Sequence, residues 1–288
     1  MLKRRIIATL VVKDGIVVQS IGFKKYLPVG QPAIAVEFLN QWGIDEIILL
    51  DISASRNGHA PDFAMVRSAS FHSRVPLTVG GGITRIEHIM ELMHCGADKV
   101  ALNQAALFKP ELLTEAAHQF GDQCIVASID SLLTEAGHRV YDYRKSKVLN
   151  QKPMELAAQL QELGSGEILI NSVDRDGSYL GFDIELIDSV CSMVTVPVIC
   201  SGGAGNVHHF LEVFLQTHAS AASAANFFHF SEHSVTTIKA QISLHFPVRH
   251  ETWFNYQGTR FDDNGRLIKK EDSELEDMLF LRIEKEVI

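Results

Sequence analysis

Segments of this chain repeat one another at a fixed distance, and that distance leaves few folds open. Gly43-Ile-Asp-Glu-Ile47 and Gly164-Ser-Gly-Glu-Ile168 lie 121 residues apart, and Val75-Pro-Leu-Thr-Val-Gly-Gly-Gly82 precedes Val196-Pro-Val-Ile-Cys-Ser-Gly-Gly203 by the same 121. Ile6-Ile-Ala-Thr-Leu-Val11 matches Ile125-Val-Ala-Ser-Ile-Asp130 at 119. Three matches in one order point to a duplicated half-domain, since solenoid repeats are only about 20–50 residues long. Short apolar, β-branched runs predict strands at Arg5–Val12, Glu46–Asp51, Pro76–Val79, Lys99–Leu102, Cys124–Ile129, Glu167–Ser172, Pro197–Cys200 and Ser220–Ala225. Amphipathic stretches between them predict helices at Ala33–Trp42, Arg85–His94, Pro110–Phe120, Met154–Leu163, Ile184–Cys191 and Val207–Leu215. Strands apolar along their whole length and alternating with helices indicate a parallel sheet covered by helices. Eight such units fit a closed (β/α)8 TIM barrel of two (β/α)4 halves better than an open sheet.

The barrel pattern ends near Phe246, dividing the chain into a barrel over residues 1–246 and an extension over residues 247–288. In the extension, Asp263-Asn-Gly265 is a two-residue hairpin signal. Leu275, Met278, Leu279 and Ile283 recur at helical spacing in the acid-rich Glu271–Ile288 segment. The expected extension is a hairpin followed by an amphipathic helix, packed as a flap on the barrel wall, with a partner-docking element as the alternative. A net charge of −9 argues against a nucleic-acid partner, whose footprint is a basic patch. The start of the chain lacks the apolar core of a signal peptide, and no apolar run approaches a membrane span. Four scattered cysteines without a CxxC pair read as buried thiols of a reducing, cytoplasmic compartment.

Gly80-Gly-Gly82 and Ser201-Gly-Gly203 each follow a strand and precede a helix, at equivalent places in the two halves. Glycine lets backbone N–H groups approach an anion, and a tight turn accounts for either motif taken alone. As a symmetric pair they suggest two phosphate sites on one face: Gly81 and Gly82 completed by Asn103 and Gln104, Gly202 and Gly203 completed by Ala225 and Asn226. Asp51, Asp130, Asp174 and Asp176 stand at C-terminal strand ends, where barrel enzymes keep their catalytic groups. Asp130 follows an apolar run that suits it to acid–base work, whereas Asp51 and Asp176 also read as helix caps or loop anchors. The counterpart of Asp130 in the first half is Val11, which has no proton chemistry. At the opposite strand ends Arg5, Glu46, Lys99 and Glu167 would form a ring of alternating charge, which on residue type alone reads as a stabilising salt-bridge layer. His208, His209, His229 and His233 read as solvated or core histidines, and neither a metal nor a cofactor is expected.

Several strings together carry a resemblance: Lys13-Asp-Gly15, Gly43-Ile-Asp-Glu46, Leu50-Asp-Ile-Ser-Ala54, Val79-Gly-Gly-Gly82, Gly96-Ala-Asp-Lys99, Ser128-Ile-Asp130, Gly166-Glu-Ile168, Asp174-Arg-Asp-Gly177 and Ser201-Gly-Gly-Ala-Gly205. Over nearly all of residues 1–246 the chain resembles the cyclase subunit of imidazole glycerol phosphate synthase, the HisF family. The resemblance implies a lyase-type cyclase site with Asp130 and Asp176 as catalytic carboxylates. It also implies two phosphate sites, with Gly177 in the second. A HisH-like glutaminase subunit would dock on the N-terminal barrel face, and Arg5, Glu46, Lys99 and Glu167 would gate the ammonia it releases. Two departures stand out: Val11 replaces the family's first catalytic aspartate, and Gln19 replaces a lysine. Loss of one member of an acid–base pair costs a factor of roughly 10²–10⁴. A branch with the first-strand substitution is associated with surface-polysaccharide synthesis, where the barrel supplies ammonia to a separate sugar amidotransferase. The sequence is similar to that branch; the alternative is an authentic cyclase of histidine biosynthesis.

Overall fold

The computed structural model describes residues 3–230, 233–249, 260–263, 266–269 and 271–274. Eight parallel strands form the barrel: β1 (Arg5–Lys13), β2 (Glu46–Asp51), β3 (Leu77–Gly80), β4 (Lys99–Leu102), β5 (Ile125–Thr134), β6 (Glu167–Ser172), β7 (Val198–Ser201) and β8 (Ala221–Ala224). β1 pairs with β2 from Ile7↔Glu46 to Val12↔Asp51 and with β8 from Arg5↔Ala221 to Ala8↔Ala224, while β5 pairs with β6, so the ring closes. The duplication is kept in the register. The pairs from Ile47↔Leu77 to Leu50↔Gly80 recur as Ile168↔Val198 to Asn171↔Ser201, each partner 121 residues later.

Two apolar layers stabilise this arrangement. The larger lies between the strands and the surrounding helices. The smaller fills the barrel interior with Ile7, Ile48, Ala101, Val126, Leu169, Ile199 and Ala221, since side chains alternate between the two faces of each strand. Helix starts repeat as well: Asp62 accepts from Met65 N at 2.9 Å, and Asp183, 121 residues on, accepts from Leu186 N at 3.2 Å. Each carboxylate thereby caps a helix start, as short polar side chains favour. The last barrel helix, Ser234–Ser243, is anchored by buried Lys239, whose ammonium donates to Gly43 O (2.6 Å), Asp45 Oδ1 (2.7 Å) and Arg249 O (3.1 Å).

The structure adds elements that the periodicity did not indicate. After β1 the chain doubles back through strands Ile16–Ile21 and Lys25–Gly30, and after β5 through Gly137–Asp142. β5 runs on to Thr134, beyond the expected Ile129, because Ser131–Thr134 pairs with that returning strand. Within the extension, Phe261 and Leu267 form an antiparallel bridge across the anticipated turn, and His208 Nε2 lies 3.3 Å from Asp262 O. Most of the expected terminal helix lies outside the described residues. Among the described residues no helix is long and apolar enough to cross a membrane.

Candidate active site

A cavity opens among the C-terminal ends of the strands. Its wall includes Val11, Asp51, Asp130 and Asp176 together with Gly81, Gly82, Asn103 and Gln104. Asp130, only 7 % exposed, takes one hydrogen bond from Asn103 Nδ2 (3.1 Å) and one from Asn171 Nδ2 (3.2 Å). Burial pushes its carboxyl up to about 6, against the pull of those two donors and with help from the charges of Asp176 and Asp142. Such a group exchanges its proton near neutral pH, as a general acid or base must.

The raised pKa also has a consequence for stability. The folded state holds a proton on Asp130 that the unfolded chain has already released, so this group's favourable contribution is complete below about pH 3.8. It fades as pH rises through about 6, where burying the ionised carboxylate opposes folding. Asp130→Asn should therefore gain on the natural protein by roughly 2–3 kcal/mol between pH 4 and 7.5. Urea unfolding of both proteins at the two pH values checks this, and a constant difference would refute it.

The other carboxylates are engaged locally. Asp51 caps the short helix Ile52–Asn57, accepting from Ser53 N (2.9 Å) and Ala54 N (3.1 Å). Asp174 accepts from Leu133 N at 2.6 Å and steadies the end of β5. Asp176 accepts from Ser20 Oγ (2.7 Å) and Phe23 N (3.2 Å), holding the first hairpin over the cavity mouth. Burial raises its pKa despite these bonds. Val11 shares the cavity with Asp130 and brings no titratable atom to it.

Both glycine turns are conformationally obligatory. Gly81 and Gly82 have φ of 111° and 71°, and Gly202 and Gly203 have 97° and 99°. A Cβ on Gly81 would lie 2.2 Å from Asp51 O, and one on Gly202 2.6 Å from Ser172 O, the position 121 residues after Asp51. The close backbone approach thus accounts for these glycines with or without a ligand. An imidazole supports each turn: His88 Nδ1 lies 3.2 Å from Gly82 O, and His209, 121 residues on, accepts from Gly205 N at 3.0 Å. The two ends of the cavity nevertheless differ. Gly81, Gly82, Asn103 and Gln104 line it, but of the second set only Ala225 does. The amide of Asn226 is closed on the backbone of Ser20, at 2.6 and 3.2 Å. Gly177, φ 68°, packs so tightly on the same residue that a Cβ would meet Ser20 O at 2.8 Å.

At the opposite end the four charged residues form a closed ring. Arg5 reaches Glu46 at 2.7 Å and Glu167 at 2.6 Å, and Lys99 reaches Glu167 at 2.6 Å and Glu46 at 3.4 Å. Burial opposes the charge on Arg5, but Glu167 and Glu46 outweigh it and hold the guanidinium above its ordinary value. Between ring and cavity lie the apolar interior layer and a buried pair, Thr9 Oγ1 and Ser223 Oγ, 2.6 Å apart. Sequence reasoning passed over Asn171, Ser20 and Tyr143. Tyr143 lines the cavity, and burial pushes its phenol up to about 12, against a hydrogen bond with Ser55.

The architecture defines the class: a duplicated (β/α)8 barrel with a small-molecule cavity at its C-terminal mouth. Residues 5–234 match the family model described as histidine biosynthesis protein. A Vibrio vulnificus protein, provisionally described as imidazole glycerol phosphate synthase subunit hisF2, is 42% identical over 92% of this chain and 98% of its own length. Imidazole glycerol phosphate synthase subunit HisF of Staphylococcus aureus (strain MRSA252) is 41% identical over 84% of this chain and 97% of its own. The chain belongs to the HisF family of histidine biosynthesis proteins. The Vibrio match, at 92% of the chain, necessarily runs past Phe246 into the extension.

Proposed function

We propose that this chain is the barrel subunit of a glutamine amidotransferase complex, binding a phosphorylated small molecule and passing on ammonia from a glutaminase docked beneath the Arg5–Glu46–Lys99–Glu167 ring. We further propose that its ammonia serves amidation of a surface-polysaccharide sugar through a separate amidotransferase. The single observation that carries this second step is Val11 in the cavity beside Asp130. Cyclisation needs protons moved in both directions, and the cavity has lost one of the two aspartates that the resemblance leads one to expect. The ring supports the first step: it closes the N-terminal end of the barrel with charged side chains whose pairing a docked partner could shift.

One observation favours the second reading, an authentic imidazole glycerol phosphate synthase cyclase. Asp130 is intact, buried and poised near neutral pH, and the relatives bear that synthase's name. Isotope labelling separates the two. The complex reconstituted with its glutaminase is given amide-¹⁵N glutamine, the ribulose-bearing aminoimidazole precursor and the sugar amidotransferase with its acceptor. The proposal expects label in a sugar carboxamide; label collecting in an imidazole ring would establish the cyclase instead.

A further inference from the structure

The duplicated strand register allows the two ends of the cavity to be compared side chain by side chain. Asp51, Asp62, Gly81 and Gly82 correspond to Ser172, Asp183, Gly202 and Gly203 at 121 residues, so Arg56 corresponds to Gly177. The pairings Gly80↔Ala101 and Ser201↔Ser223 put the next strand at 122, so Asn103 corresponds to Ala225 and Gln104 to Asn226. At the first end Arg56 brings a cation, while the amides of Asn103 and Gln104 already donate to Ser128, Asp130 and Asp142; at the second end the matching positions are a glycine, an alanine and an asparagine closed on Ser20. Arg56 is the one cationic side chain on the cavity wall among the described residues. Its guanidinium forms no hydrogen bond or ion pair with any described residue, although three carboxylates share the same wall. Those carboxylates are engaged elsewhere: Asp51 on helix backbone, Asp130 on two asparagines, Asp176 on the first hairpin. Arg56 follows Ser55, whose hydroxyl accepts from Gly82 N at 3.0 Å, so the cation is fixed in sequence beside the first glycine turn.

Building on the reading of a phosphorylated ligand, we infer that Arg56 is its specificity-determining anchor, gripping a phosphate monoester at the Gly81–Gly82 end and thereby fixing which way round the ligand lies. A planar guanidinium matches two phosphate oxygens at once, which a backbone turn alone does not. The second turn offers backbone N–H groups only, and its asparagine is spent on Ser20. The cavity therefore offers its ligand a cationic side chain at one end and, among the described residues, none at the other.

The test is calorimetric titration of the full chain with ribose 5-phosphate, and with ribose as the uncharged control. Arg56 is exposed and pairs with no described residue, so Arg56→Gln should leave the melting temperature unchanged while weakening ribose 5-phosphate by about tenfold or more. Arg56→Lys should recover part of the loss, since it restores charge without the bidentate geometry. If the natural protein binds ribose 5-phosphate and Arg56→Gln binds it equally well, the anchor is wrong and the phosphorylated-ligand reading stands. If the natural protein binds neither ribose 5-phosphate nor inorganic phosphate, both fall together.

Discussion

Lys99→Met is expected to leave the barrel folded and its glutaminase bound, yet to separate glutamine hydrolysis from amination. In the ring, Lys99 bonds both carboxylates at 2.6 and 3.4 Å, and its removal leaves Glu46 and Glu167 sharing Arg5 alone. Breaking a buried pair commonly costs about 3–5 kcal/mol, although replacing one outright is often neutral. The side chains here are 5–17 % exposed, so water can partly compensate the loss. Stability therefore does not discriminate between a gate and a structural layer, and stoichiometry does. With a working gate, glutamate formed per acceptor aminated stays close to one in the natural complex and rises well above it in the variant, as ammonia escapes to solvent. An unchanged ratio with a lowered melting temperature would restore the structural reading.

Val11→Asp is expected to raise cyclase turnover on the ribulose-bearing precursor, with ammonium salt as nitrogen source, by roughly 10²-fold. The new carboxylate would project from β1 into the cavity that already holds Asp130. Like charges in one site raise the pKa of at least one partner, so the new pair would offer one acid and one base near neutral pH. Gly81, Gly82, Asn103 and Gln104 line the same cavity. No gain would mean that Gln19, which donates to Tyr179 Oη at 3.1 Å, or the Asn226–Ser20 closure also stands in the way.

What the sequence made legible follows from what local patterns encode. The duplication was readable because the same turns need glycine for the same backbone reason in both halves. Six helices and eight strands were readable from apolar spacing, with ends displaced by a residue or two except at β5, which runs five residues past its expected end. The first hairpin was missed although Asp14-Gly15 signals it; those residues adopt φ of 51° and 78°, the pair of left-handed conformations that such a turn requires. The floor ring was readable because its members open their strands, but whether they paired depended on strands far apart in sequence. Asp51 and Asp174 looked like catalytic candidates until their backbone partners were seen. Arg56, Asn171 and Tyr143 were not legible, because loop and strand residues show their direction only once the barrel has closed.

The most direct measurement of the central claim is the cyclase rate of the natural protein itself. Its kcat/KM on the ribulose-bearing aminoimidazole bisphosphate with saturating ammonium is compared, in one assay, with that of the Staphylococcus aureus HisF relative. Ammonium bypasses the glutaminase and the ring, so only the cavity is tested. With Val11 in place of a carboxylate the expected value is lower by at least about 10²-fold. Equal rates would contradict the account and make this chain a working cyclase.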